Sequence, residues 1–106
     1  LLSRKAIHCV QTEALWISPM TALELEYLYE TKRLRVSAAR ILEALQHDIG
    51  IQVSDLAFTE IIRYALKEHW TRDPFDRIIV AQARAASCHL LTKDRTIRAN
   101  YRKAIW

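Results

Sequence analysis

A chain of 106 residues with 51% apolar content can fill one modest core, so the sequence reads as a single domain over residues 1–106. It contains no apolar run of the roughly 20 residues that a membrane-spanning helix needs, and no signal-peptide pattern, so no membrane partner is expected. A net charge of +4 and a pI near 9.3 favour an anionic partner only mildly, because a solvated basic surface accounts for them equally well.

Two cysteines, Cys9 and Cys88, lie in separate elements without framework spacing, as expected of reduced thiols in a cytoplasmic protein. The neighbours His8–Cys9 and Cys88–His89 suggest zinc at first sight. Adjacent residues diverge by about 100° on a helix and point to opposite faces of a strand. Each pair is therefore a poor chelate, and zinc is not expected from either.

From Leu1 to Glu13 the apolar residues Leu2, Ala6, Cys9 and Val10 mark one face of a helix with Ser3 as cap. Leu15-Trp16-Ile17 is a short strand ended by Ser18-Pro19, which starts a helix reaching about Lys32. On that helix Glu24 has Met20, Tyr27, Leu28 and Thr31 as its neighbours one and two turns away, so it sits within an apolar stripe. A carboxylate in such a setting is costly unless it is paired, protonated or bound to a cation. Glu26 and Glu30 read as solvated. Ala22, Leu25 and Tyr29 form a second stripe, which predicts burial against another neighbour, such as a second subunit.

A further amphipathic helix runs from Ser37 to Asp48 and ends near Gly50, the only glycine. Ile51-Gln52-Val53 is a strand, and Ser54 or Asp55 is expected to cap a helix through Lys67 with Leu56, Ile61, Ile62, Ala65 and Leu66 inward. His47 and His69 have no assigned chemistry.

The segment from Trp70 to Tyr101 organises the rest. Asp73 is a good N-cap and Pro74 a good first helical residue. Asp76 follows in the first turn, and its helical neighbours Ile79, Val80 and Ala83 put its carboxylate at the edge of the apolar face. Ile79, Ala83 and Ala86 share the face of Phe75, with Arg77 and Arg84 opposite. HLLT then reads as a strand, followed by Lys93-Asp94. An acidic residue at a strand exit is a usual ligand position at the carboxyl end of an α/β sheet. Lys93, Arg95, Arg98, Arg102 and Lys103 surround Asp94 with positive charge that would draw a polyanion to the acidic rim. Ala104-Ile105-Trp106 is a candidate edge strand. The alternation of short strands and helices predicts a parallel sheet covered by helices.

Three blocks, SPMTALELEYLYETKRL, WTRDPFDRIIVAQARA and LLTKDRTIRANY, together resemble a PIN domain, and most of all the toxin ribonucleases of VapBC-type toxin–antitoxin operons. The resemblance implies an α/β fold with a central parallel sheet flanked by helices on both faces. It also implies a Mg²⁺- or Mn²⁺-dependent endoribonuclease, a homodimer held by a cognate antitoxin. By position, Glu24, Asp76 and Asp94 match the family's metal-binding catalytic acids, Thr92 the supporting hydroxyl, and Lys93, Arg95 and Arg98 are candidate RNA contacts. The family pattern opens with a strand ending in L-D-T, whose aspartate is the first ligand. No Asp precedes Asp48 here, so the chain is expected to be incomplete at its N-terminus. Leu28 and Lys32 stand where that pattern often has glycine. Two other readings stand beside the nuclease. One is a catalytically impaired PIN scaffold that dimerises or binds an antitoxin. The other gives the acids structural roles alone, with Asp76 at a helix dipole, Asp94 as N-cap and Glu24 at the surface.

Overall fold

The computed structural model describes all residues, Leu1–Trp106. Ten elements follow one another: α1 (Arg4–Thr12), β1 (Trp16–Ile17), α2 (Pro19–Glu30), α3 (Ala38–Ile49), β2 (Gln52–Val53), α4 (Phe58–Ala65), α5 (Pro74–Ala85), β3 (Leu90–Leu91), α6 (Arg95–Asn100) and β4 (Ala104–Ile105). They form two compact units, one of Leu1–Glu13 with Leu56–Trp106, the other of Ala14–Asp55.

The strands pair as two separate two-stranded parallel sheets, where the sequence predicts one central sheet. In the Ala14–Asp55 unit β1 pairs with β2, Trp16 opposite Gln52 and Ile17 opposite Val53. In the other unit β3 pairs with β4, Leu90 opposite Ala104 and Leu91 opposite Ile105. Each strand spans only two residues, so each ladder is short and the helices carry most of the packing.

In the Ala14–Asp55 unit, Ser18 caps α2 by accepting the Met20 N–H, with Pro19 at the first helical position. Ser37 caps α3, and Gly50 ends it in the left-handed region at φ 65°. Glu26 is not simply solvated: its Oε1 accepts the Ala38 N–H at 3.1 Å, satisfying the first amide of α3 from α2. The end of α2 is tied by Leu28, whose carbonyl accepts the N–H groups of Arg33 (2.8 Å) and Leu34 (3.2 Å). That closure puts Lys32 at φ 63°, a left-handed conformation that glycine adopts without strain and lysine does not. The second stripe of α2 is only partly covered, with Ala22 and Leu25 half-buried and Tyr29 exposed.

In the other unit, Ser3 caps α1 through the Ala6 N–H, and Ala6 is fully buried. α4 starts later than Ser54 or Asp55 predicts. Its N-cap is Ala57, with no side-chain hydrogen bond, and Leu56 and Leu66 are exposed while Ile61 and Ala65 are buried. A helix begun at Phe58 turns the 61/65 face inward and leaves its flanks to solvent.

α5 is covered on more sides than its periodicity predicts. Val80, Ala81, Gln82 and Ala83 are all buried, whereas Ala86 is exposed. Its arginine side is packed rather than solvated. Arg77 Nε and Nη2 donate to the carbonyl of Ala65, the last residue of α4, at 3.2 and 2.9 Å. Arg84 Nε donates at 2.6 Å to Glu68, whose side chain is 4% exposed and which also accepts from Trp70 Nε1 at 2.6 Å. The Arg84 guanidinium reaches the Asn100 carbonyl at 3.2 Å and lies 4.9 Å from the centre of the Tyr101 ring. Tyr101 is buried with Val80, Ala83 and Ile97, and its hydroxyl donates to the carbonyls of Ala83 and Cys88.

Two stability predictions follow from these contacts. Lys32→Gly should stabilise the Ala14–Asp55 unit by about 1 kcal/mol, read as a higher midpoint in urea denaturation. Arg84→Met should cost about 3 kcal/mol by leaving a buried carboxylate without its cation, and adding Glu68→Gln should restore most of that loss.

Candidate functional site

The first-turn geometry of α5 follows directly from its sequence. Asp73 Oδ1 accepts the N–H groups of Phe75 at 2.9 Å and Asp76 at 3.5 Å, and Pro74 fills the position that needs no donor. This cap holds Asp76 at the start of the helix, half-buried at the margin of the apolar face. Partial burial raises the Asp76 carboxyl above its ordinary value of 3.8, and the negative charges of Asp73 and then Asp94 push it further in the same direction.

Asp94 is brought to Asp76 by a second local device. β3 ends at Leu91, and the Thr92 N–H donates to the Ile105 carbonyl of the neighbouring strand at 3.0 Å. The Thr92 hydroxyl accepts the Asp94 N–H at 3.1 Å, and Asp94 Oδ1 accepts the Ile97 N–H at 2.9 Å as the N-cap of α6. The Thr92 hydroxyl thus fixes the backbone of Asp94. Ile97 is buried beside Val80, so α6 is anchored on α5 while Asp94 stays exposed.

Asp76 and Asp94 therefore share one electrostatic neighbourhood. Asp73 belongs to it as well, although in the sequence it has no role beyond capping. The signal for it is the D-P-F-D spacing, which sets two carboxylates within the first turn of one helix. Glu24 lies on α2 in the Ala14–Asp55 unit, where it is half-buried. Lys93, Arg95 and Arg98 are exposed around Asp94, and Arg98 Nη2 donates to the Lys93 carbonyl at 3.2 Å, steadying the strand exit. At the far end of α6, about 9 Å along its axis, an open polar recess of about 720 Å³ is lined by Lys5, Arg84, Asn100, Arg102 and Lys103 among others.

Carboxylate oxygens such as those of Asp76 and Asp94 are the kind of donor a hard divalent cation takes alongside several waters, although no three acids here bring ligand atoms within 4.8 Å of one another.

The chain carries acidic residues at a helix start and just after a strand exit. The PIN domain profile matches residues 2–103, and the chain belongs to the PIN domain family. PIN domains are generally nucleases that bind RNA and are typically dependent on divalent metal. No curated protein and no solved structure matches the chain. No helix is long and apolar enough to cross a membrane.

The raised Asp76 carboxyl has a consequence for stability. From its ordinary value of 3.8 up to its raised value, the folded chain keeps a proton that the unfolded chain has lost. Stability from this group therefore falls as pH rises through that window. In chelator-treated buffer Asp76→Asn should flatten this pH dependence and fold more stably than the parent at neutral pH. Denaturant melts from acid to neutral pH check both outcomes.

Proposed function

We propose that this chain is a Mg²⁺- or Mn²⁺-dependent endoribonuclease, the toxin of a VapBC-type toxin–antitoxin pair, acting in the cytoplasm. The observation that carries the reading is the PIN family match over residues 2–103, with Asp76 in the first turn of α5 and Asp94 at the strand exit before α6. Asp76 and Asp94 would hold the cation through carboxylate oxygens, with Glu24 as the third acid by its place in the family's pattern. Bound there, the cation supplies a Lewis acid for the phosphodiester and a water of lowered pKa as nucleophile.

The chain's own residues do the positioning. The Asp73 cap fixes the helix start that carries Asp76, and the Thr92 hydroxyl fixes the peptide of Asp94. Lys93, Arg95 and Arg98 meet the substrate's phosphates, and the recess with Arg102 and Lys103 extends that positive track. Such contacts position an RNA without reading its sequence. The exposed Tyr29 and the half-buried Leu25 and Ala22 of α2 are the surface we assign to a homodimer, since apolar stripes of this kind are rarely left to solvent. The antitoxin is the cognate protein partner.

Cleavage of a labelled single-stranded RNA tests the proposal. Activity should require Mg²⁺ or Mn²⁺ and stop with EDTA. Asp76→Asn and Glu24→Gln should each lower it more than about 100-fold, beyond the roughly 10–100-fold cost of losing a residue that only supports a ligand. Undiminished metal-dependent cleavage by Asp76→Asn would sink the mechanism, while absence of any cleavage by the parent would favour the scaffold reading. Arg102→Ala with Lys103→Ala should weaken RNA binding evenly across sequences and lower the salt dependence of binding by about one phosphate contact each.

A further inference from the structure

The chain brings together a second donor set, distinct in chemistry from the carboxylates. Cys9, Glu13 and His89 place one ligand atom each within 4.8 Å of one another. The Cys9 Sγ lies 4.0 Å from His89 Nδ1, and Glu13 Oε2 lies 4.0 Å from that same nitrogen. Neither His8–Cys9 nor Cys88–His89 makes this set, because neighbouring side chains diverge. The fold instead takes one residue from each pair, 80 positions apart.

Two elements make the convergence. Cys9 lies in the last turn of α1 and Glu13 is its extended C-cap four positions on, whose N–H donates to the Cys9 carbonyl at 3.0 Å and so holds the two residues together. His89 directly precedes β3, and β3 is held in register by β4. The last turn of α1 contains no basic residue, so its unpaired carbonyl dipoles favour a cation at this end. Cys9 and His89 are half-buried while Glu13 is exposed, which leaves one side of the set open to water.

We infer that Cys9, Glu13 and His89 form a binding site for a zinc-type divalent transition metal, which clamps the end of α1 to the start of β3. Sulfur, imidazole nitrogen and one carboxylate suit Zn²⁺ and not Mg²⁺, which prefers oxygen alone. Zinc bonds of about 2.3 Å to sulfur and about 2.0 Å to nitrogen or oxygen need donors roughly 3.3–3.5 Å apart, so closure from the 4.0–4.8 Å spacings takes between about half an ångström and a little over one. On binding, the Cys9 thiol gives its proton to solvent, and the thiolate, the neutral imidazole and the carboxylate hold the ion. Water takes the fourth place.

Titration of the chelator-stripped protein with Co²⁺ and then Zn²⁺ tests the site. One equivalent of Co²⁺ should bind with a thiolate-to-cobalt charge-transfer band, one equivalent of Zn²⁺ should displace it, and excess Mg²⁺ should not. Zn²⁺ should also raise the unfolding midpoint of the parent chain. Cys9→Ser and His89→Ala should each weaken Zn²⁺ binding by at least about 10-fold, whereas Cys88→Ser should leave it unchanged. The parent's cobalt spectrum needs no variant, so misfolding of a mutant cannot mask the outcome. Absence of the thiolate band, equal affinity in Cys9→Ser, loss of binding in Cys88→Ser, or half an equivalent bridging two chains would each overturn the inference. None of these readouts depends on RNA cleavage, so the site and the nuclease proposal stand or fall separately.

Discussion

The ion pair between Glu68 and Arg84 is the interaction on which the Leu1–Glu13 and Leu56–Trp106 unit depends. A carboxylate only 4% exposed is tolerable because Arg84 and the Trp70 indole both donate to it. Arg84 in turn reaches the Asn100 carbonyl and the face of Tyr101, and Tyr101 hydrogen-bonds to the carbonyls at the end of α5 and in the turn after it. One charged pair thereby joins the segment after α4 to α5 and to the end of α6. With strands of two residues and only small or medium side chains fully buried, such polar ties fix what apolar packing alone leaves loose.

The same frame sets the acidic site under tension. α5 presents Asp76 at its first turn, and α6, anchored by Ile97 beside Val80, presents Asp94 at its own start. Each helix start welcomes a carboxylate through its backbone amides and dipole. Burial raises the Asp76 carboxyl most, and the negative charges of Asp73 and then Asp94 add to the same shift. Local helix-capping chemistry and longer-range repulsion thus oppose each other at this end of the unit.

Much of this was legible in the residues. Ser3, Ser18 and Asp73 act as the N-caps their sequence contexts predict, and Asp94 caps α6 as the structural-role reading expects, because capping is a contact within three residues of chain. The placing of Asp76 beside the apolar face also follows from helical spacing, as does the strand exit before Asp94. The start of α4 was not legible. Ser54 and Asp55 look like caps, yet the chain stays extended past them, since β2 and the Ile61/Ala65 face set where that helix begins. Glu26 and the two arginines of α5 look solvated by sequence, but each finds a partner on another element.

The sequence by itself therefore determined the order of the elements, all but the start of α4, and most of their caps, which rest on contacts between residues a few positions apart, together with the PIN family blocks. Tertiary structure alone decided the rest. It split the strands into two parallel pairs, buried Glu68 against Arg84, coupled Asp76 to Asp94 across 18 positions, and joined Cys9 to His89 across 80. Periodicity states which side of an element a residue occupies. Which other element meets that side depends on how the helices pack, and no local pattern encodes it.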